Sequence, residues 1–256
     1  MEKRKGSAVP ALDKVIGICE FLSDAGNATF SQIQQALGLP KSSTHGLLGA
    51  MLHHGLLRQD KDNKYSLGLR FYEFGNRAIA QFDIRKEAMP FLYALSQETQ
   101  LTCHLGVLQG VEAIYLAKLE SSQPISIKSW EGKRLSLHSS SVGKALIAWC
   151  SGDEIDALFP NEALPVYTDT TLPTRTALKA QLEVIRQRGW AMDDGEDIPT
   201  LRCIAAPVHD AHGKVIAAIS AVGAAFQIPD QRIEELAILV RAAAINLSTV
   251  MGFNAY

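Results

Sequence analysis

Cysteine is scarce and scattered. Cys19, Cys103, Cys150 and Cys203 form no C-x-x-C pair, which argues against a zinc framework or a disulfide scaffold and fits reduced thiols in a cytoplasm. No metal or cofactor is expected. Long apolar runs are missing too: the longest, residues 215–226, is interrupted by Ser220 and Gly223 and is too short to span a bilayer. Residues 1–6 are polar and basic with no apolar core, so neither a signal peptide nor an anchor is expected there, and no membrane partner. There is no G-x-S-x-G elbow for a nucleophilic serine. Gly143-Lys144 lacks both the following Ser/Thr and the glycine five positions earlier that a phosphate-binding loop needs.

What is present is an ordinary soluble composition. The chain has 256 residues, 47% of them hydrophobic and 20% charged, enough for a core of normal size and for one or two domains. A net charge of −2 looks unsuited to nucleic acid until it is divided. Residues 1–75 hold nine Lys/Arg against seven Asp/Glu, about +2, which leaves about −4 for the rest. Each copy therefore offers few cations to phosphates, so two or more copies are expected to act together on DNA.

Residues 29–65 read as one DNA-reading device. Ser31 can cap a helix whose Ile33, Ala36 and Leu37 recur three and four residues apart, and Gly38 followed by Pro40 stops it. A second helix then carries Leu47, Leu48, Met51 and Leu52 on a buried stripe, with Lys41, Ser42, Ser43, Thr44 and His45 expected on exposed first turns. Short hydroxyl and imidazole groups at a helix start can approach base edges closely. Residues 55–58 rise into a strand, 60–64 make a turn, and 65–67 return, so that Lys61 and Lys64 tip a wing. Lys3, Arg4 and Lys5 form a basic arm suited to the backbone or minor groove. A winged helix can also serve as a protein–protein module, and a polar helix start can be a plain solvated cap.

Downstream, residues 69–86 carry Phe71, Phe74, Ala78 and Phe82 at helical spacing, a stripe that must bury itself on its own domain or on another copy. Beyond it, strands alternate with helices. Residues 101–108 and 111–119 form a hairpin at Gln109-Gly110, and residues 125–130 and 135–137 are expected to form another through Glu131-Gly132. Helices follow at 142–149, after a capping box from Ser151 to Glu154, and around Leu178, Leu182 and Ile185 up to Gly189. Strands at 190–194, 203–209 and 215–222 precede a closing helix at 229–251 with Ile233, Leu236, Val240 and Leu247 inside. This predicts an antiparallel sheet flanked by helices.

A binding site can be argued from the same pattern. Ser139, Ser140 and Ser141 stand before a helix, where hydroxyls and free amides suit a carboxylate. Asp193, Cys203 and Ser220 lie on three different strands and can converge on one cavity mouth. Each also has a plainer reading: a cap, a small core thiol, a hydroxyl bonded to a carbonyl, or an acidic loop with Glu196 and Asp197. Catalysis through Cys203, or through Ser139–Ser141 with His138, is disfavoured because sequence neighbours on a strand point to opposite faces.

The order of Leu12-Asp13-Lys14-Val15, Leu39-Pro40-Lys41-Ser42-Ser43-Thr44-His45 and Tyr65-Ser66-Leu67-Gly68 resembles the IclR family of bacterial transcriptional regulators. Two later stretches resemble that family's effector-domain signatures, Leu137-His138-Ser139-Ser140-Ser141-Val142-Gly143-Lys144-Ala145 and Leu201-Arg202-Cys203-Ile204-Ala205-Ala206-Pro207-Val208. The resemblance implies an α+β chain in which an N-terminal winged helix-turn-helix (9–71) is joined by a linker helix (72–88) to a GAF-like α/β effector domain (86–254) with a central antiparallel sheet. It implies a non-enzymatic cytoplasmic regulator, most simply a repressor, with three kinds of partner: double-stranded operator DNA, a small carboxylate effector, and itself as a dimer or a dimer of dimers.

The DNA contact set is Lys3, Arg4, Lys5, Ser31, Lys41, Ser42, Ser43, Thr44, His45, Lys61 and Lys64. The family's effector positions fall on Ser141, Val142, Asp193, Cys203 and Ser220. Residues 201–208 and the Met251-Gly252-Phe253 ending look like the branch that senses sugar acids. Two departures stand out: Gly46 where members usually have arginine, and Val222 where some members that bind small keto acids have serine. A sensory dimer that acts through protein contacts without DNA is the alternative.

Overall fold

Pro10 in the first turn and Ile18 and Leu22 four residues apart define the first helix, α1 (Pro10–Ala25). The computed structural model describes residues 9–79 and 83–253, in two compact units, Met1–Phe82 and Asp83–Tyr256. Lys3, Arg4, Lys5 and Phe82 lie outside the described residues.

In the N-terminal unit α1 is followed by β1 (Ala28–Thr29), α2 (Phe30–Leu37), α3 (Lys41–His53), β2 (Leu57–Gln59), β3 (Lys64–Leu67) and α4 (Arg70–Ile79). The cap of α2 is Thr29, not Ser31. The Thr29 hydroxyl accepts from the Gln32 amide while the Gln32 side chain accepts from the Thr29 amide, and Ser31 sits exposed inside the first turn. Gly38, left-handed at φ 61°, ends the helix. The wing strands pair antiparallel, Leu57 opposite Leu67 and Gln59 opposite Tyr65, and β1 adds Ala28 opposite Tyr65. Asp60 shapes the wing turn by accepting from the Asp62 and Lys64 amides at 2.9 Å each. The core is Ile18, Leu22, Ala28, Ile33, Leu48, Met51 and Leu57, with Leu47 and Leu52 half-buried at its edge.

The described parts of the expected linker helix fall in α4 and in the start of α5 (Asp83–Thr99). In α5, Ile84, Ala88, Leu92 and Leu95 recur at helical spacing and are buried in the core of the C-terminal unit. The segment after residue 83 is thus part of that unit's wall rather than a spacer. In α4, Phe71 is half-buried and Phe74 is 49% exposed, beside Tyr72 at 69%.

The C-terminal unit holds β4 (Thr102–Gln109), β5 (Glu112–Leu119), β6 (Arg134–Leu135), α6 (Ser141–Ile147), α7 (Gly152–Leu158), α8 (Arg175–Arg188), β7 (Ala191–Asp194), β8 (Leu201–His209), β9 (Val215–Ala224) and α9 (Ile233–Val250). The sheet runs β6-β5-β4-β9-β8-β7, antiparallel throughout. One face packs on α5 and α9, whose Leu236, Val240 and Leu247 are buried; Ile233, expected inside, is only half-buried at the helix start. The other face packs on α6 and α8 through Ala145, Leu146, Leu178, Leu182 and Ile185.

The hairpin expected between 125–130 and 135–137 is not formed. Residues 125–130 are a loop, pinned by the Lys118 ammonium, which donates to the carbonyls of Ile127 (3.1 Å) and Ser129 (2.8 Å). Of the second run only Leu135 pairs, together with Arg134 before it, and with β5.

Candidate functional site

On α3, Lys41, Ser42, His45 and Gly46 are exposed and Ser43 is half-buried. Thr44 corrects the expectation of an exposed first turn. It is 0% exposed, and its hydroxyl donates to the Pro40 carbonyl at 3.1 Å. Position 44 follows the stripe of Leu48 and Met51 into the core, so this hydroxyl bonds back to the preceding turn and packs inside rather than facing outward. Lys61 and Lys64 are exposed on the wing, and Arg58 there donates to the Ser66 hydroxyl at 2.9 Å. Among the described residues, Lys41, Lys61 and Lys64 have no ion pair. An added Cβ at Gly46 or Gly49 meets nothing within 4 Å, and α3 runs unbroken through both.

The second site lies on the α6 side of the sheet. Antiparallel register puts Asp193 opposite Cys203 and Cys203 opposite Val222. In the next row on that face, Ser220 stands between Ala205 and His104. A cavity forms over this face, walled by Tyr115, the loop residues Ile127, Lys128, Ser129 and Lys133, Ser140 and Ser141 of the α6 start, and Asp193, Asp197, Ile198, Leu201, Cys203 and Val222.

Three of the five expected effector residues, Ser141, Asp193 and Cys203, line it. Val142 does not: its side chain packs into the notch left by Gly106, where an added Cβ would lie 2.3 Å from Val142 Cγ1. Ser220 is fully buried behind the lining, one row from Val222. The three serines divide their labour. Ser139 donates to Asp197 at 2.9 Å, Ser140 caps α6 by accepting from the Gly143 amide at 3.0 Å, and Ser141 is left with a buried hydroxyl that has no hydrogen-bond partner. The expected cradle of three hydroxyls therefore reduces to one. Both ring nitrogens of His138 are occupied, by Ser136 Oγ at 3.0 Å and the Pro165 carbonyl at 2.8 Å, so it holds a loop in place.

The electrostatics come from burial. Asp193 is pushed up to about 7 by desolvation, although its Oδ1 accepts from the Glu196 amide at 2.7 Å. The Cys203 thiol is pushed up to about 12 by burial, which favours its protonated form. Below Tyr115, His104 stacks on the phenol ring at 3.9 Å between centroids, and its Nε2 lies 2.8 Å from Ser129 Oγ. Burial, then Lys118 and Lys133, push this imidazole down to about 3, so it is neutral. Behind the acidic loop, Lys144, 0% exposed, pairs with Glu196. Desolvation pushes the ammonium down and the carboxyl up, with their mutual attraction opposing both shifts. Gly143 lets this helix come close, since a Cβ there would lie 2.3 Å from the Ser136 carbonyl oxygen.

Sequence reasoning missed Lys144, Lys133, Lys128, Tyr115 and His104. A lysine inside the otherwise apolar α6 was the one available signal for the buried pair. Lys128 and Lys133 sat in what looked like a hairpin, which gave no hint of a cavity wall.

The sequence profile of the bacterial transcriptional regulator IclR C-terminal domain matches residues 76–249, and that of the IclR helix-turn-helix domain matches residues 11–61. The chain belongs to the IclR family. It is therefore a bacterial transcriptional regulator of IclR type, carrying a DNA-binding helix-turn-helix. An uncharacterized HTH-type transcriptional regulator of Escherichia coli K12, RhmR, is 36% identical over 249 residues, covering 97% of this chain and 96% of the relative. The HTH-type transcriptional regulator KdgR of the same organism is 30% identical over 254 residues, covering 99% and 97%. Among solved structures, an IclR homolog from Microbacterium hydrocarbonoxydans complexed with 4-hydroxybenzoate is 27% identical with a TM-score of 0.82, covering 94% of this chain and 98% of that one. Among the described residues no helix of this IclR-family chain is long and apolar enough to cross a membrane, and no His/Cys/Asp/Glu group could hold a metal ion.

Proposed function

We propose that this chain is a repressor whose grip on its operator is set by a small organic acid, such as a sugar acid, taken up in the cavity of the C-terminal unit. The observation that carries the reading is that cavity: a mixed wall in which buried Ser141 Oγ lacks a partner and Asp193 is held near neutrality at the end of a strand. The relative captured with 4-hydroxybenzoate supports a hydroxylated carboxylate as the kind of molecule that fits. Val222, with Cys203, Leu201 and Ile127, makes one wall apolar, which favours a ligand larger than the smallest keto acids.

On the DNA side, Lys41, Ser42, Ser43 and His45 of α3 contact the major groove, Lys61 and Lys64 the flanking phosphates, and Lys3, Arg4 and Lys5 the neighbouring backbone. The protein works in the cytoplasm as a dimer, and dimers pair. Exposed Leu69 (76%), Tyr72 and Phe74 of the α4 region supply apolar surface for a second copy. Acid binding and DNA binding are coupled through the packing of copies, so an acid that prefers the geometry unable to bridge two half-sites releases the operator.

The test is a thermal-shift screen of small carboxylates on the full chain. A ligand at 100 times its dissociation constant adds about 2.7 kcal/mol of stability. Asp193→Ala should lose the shift while still retarding a duplex from the upstream region of its own gene. A screen in which no acid shifts the melting temperature rejects the effector reading.

A further inference from the structure

Two lysines line the cavity without a carboxylate to pair with them. Several cations of the C-terminal unit are paired with carboxylates: Arg85 with Glu131, Lys118 with Glu120, Arg134 with Glu112, Lys144 with Glu196, Arg175 and Lys179 with Asp156, and Arg202 with Asp194 and Asp230. Among the described residues Lys128 and Lys133 have no ion pair, yet both line the cavity. Lys133 is half-buried, and its ammonium lies over the Trp130 ring at 5.6 Å from the centroid. Its backbone is fixed as well. The Lys133 carbonyl accepts from the Tyr115 amide at 3.1 Å, and the Gly132 amide donates to the Tyr115 carbonyl at 2.7 Å, which ties this turn to β5.

The acids of the cavity sit elsewhere. Asp193 lies next to the end of β7, the edge strand, with β4, β9 and β8 between it and β5. Asp197 follows in the loop and is already engaged by Ser139. The lining is thus polarised along the sheet, cationic at the β5 side and hydroxyl-reading at the β7 side, where one oxygen of Asp193 and Ser141 Oγ are available. An ammonium with no carboxylate of the chain beside it is free to take one from a ligand, and such a charge-assisted contact is stronger than a neutral one.

We propose that Lys133, assisted by Lys128, is the residue that neutralises the effector's carboxylate, while Asp193 and Ser141 read hydroxyl groups at the other end, so the effector is a hydroxylated monocarboxylate entering with its charge toward β5. The inference rests on the cavity being the effector site. It adds the orientation of the ligand and the residue that selects acids over neutral analogues.

The experiment uses the full chain and isothermal titration with matched probes: 4-hydroxybenzoate against 4-hydroxybenzamide, and D-galacturonate against D-galactose. Wild type should bind at least one acid and discriminate against its uncharged counterpart by tenfold or more. Lys133→Met should weaken the acid by at least tenfold and leave the neutral analogue unchanged, Lys133→Arg should restore most of the preference, and Lys128→Met should cost less than Lys133→Met. Because Lys133 has no ion pair, the unliganded melting temperature of Lys133→Met should match wild type, which separates the effect from misfolding. An acid bound equally well by wild type and Lys133→Met, but lost in Asp193→Ala, overturns this assignment and leaves the effector reading standing. If no probe binds wild type, the effector reading fails and the assignment fails with it.

Discussion

The N-terminal unit displays its proposed DNA-contact groups outward. Lys41, Ser42, His45, Lys61 and Lys64 lie exposed around a core of seven buried apolar side chains, and each can change without touching that core. The C-terminal unit does the reverse. Ser141, Asp193, Cys203, His104, Lys144 and Glu196 are buried in the fold that also makes the cavity. One site is a surface whose affinity sums over separate contacts and falls with salt. The other is an interior whose chemistry and stability are the same interactions. Substitutions should therefore separate binding from folding in the first unit and mix them in the second.

The largest break in that contrast should come at Lys144. Removing one partner of a buried pair leaves the other charge uncompensated, at a cost of about 3–5 kcal/mol. Lys144→Met should lower the denaturation midpoint of the C-terminal unit accordingly, and adding Glu196→Gln should recover much of the loss. A single variant as stable as wild type would show that the pair is not buried in solution.

Acidity should act on the interior through two groups of opposite sign. His104 is pushed down to about 3 from an ordinary 6.5, so the folded unit binds fewer protons than the unfolded chain across that window, and stability falls as pH drops through it. Asp193 is pushed up to about 7 from an ordinary 3.8, so the folded unit binds more protons there, and stability is lost as pH rises toward 7. Hence His104→Gln should flatten the acid side of a melting-temperature profile. Asp193→Asn should gain on wild type as pH is raised from about 5 to about 8. Profiles parallel to wild type would refute both assignments.

In the outer unit the caps give a smaller contrast. Thr29→Ala should cost about 1 kcal/mol in chemical denaturation, because it removes a capping box, whereas Ser31→Ala should stay within about 0.5 kcal/mol. Equal losses would return the cap to Ser31. Smallest in stability is Gly46→Arg, at an exposed site with room for the side chain. It should tighten general DNA binding and steepen the log–log salt dependence by about 0.9 per added phosphate contact, with no change in melting temperature beyond the gain expected from replacing glycine in a helix.

The same contrast explains what the sequence made legible. The two-helix punctuation at Gly38-Leu39-Pro40, the wing turn, the strands around Asp193, Cys203 and Ser220, and the capping box at Ser151 are all local patterns, and they appear in the structure where the pattern put them. Thr44 and Ser31 failed because which polar residue joins the buried stripe, and which one caps, is decided by helix phase, which short polar residues do not mark. The run Ile125–Trp130 alternates like a strand, but the Lys118 ammonium captures its carbonyls and turns Ile127 inward with Cys203 and Val222. Cavity walls built by such long-range capture, with Lys133 and Tyr115 as members, leave no periodic trace. Alternation did place Ser220 on the correct face of its strand, but not the depth that puts it behind the lining.

The claim on which the account turns is that the two units share one equilibrium, and reciprocity tests it directly. For an acid that binds the full chain, the dissociation constant of an upstream duplex should change by some factor when the acid is saturating, and that of the acid should change by the same factor when the duplex is saturating. Tight acid binding in the cavity that leaves duplex affinity untouched at every salt concentration would contradict the account.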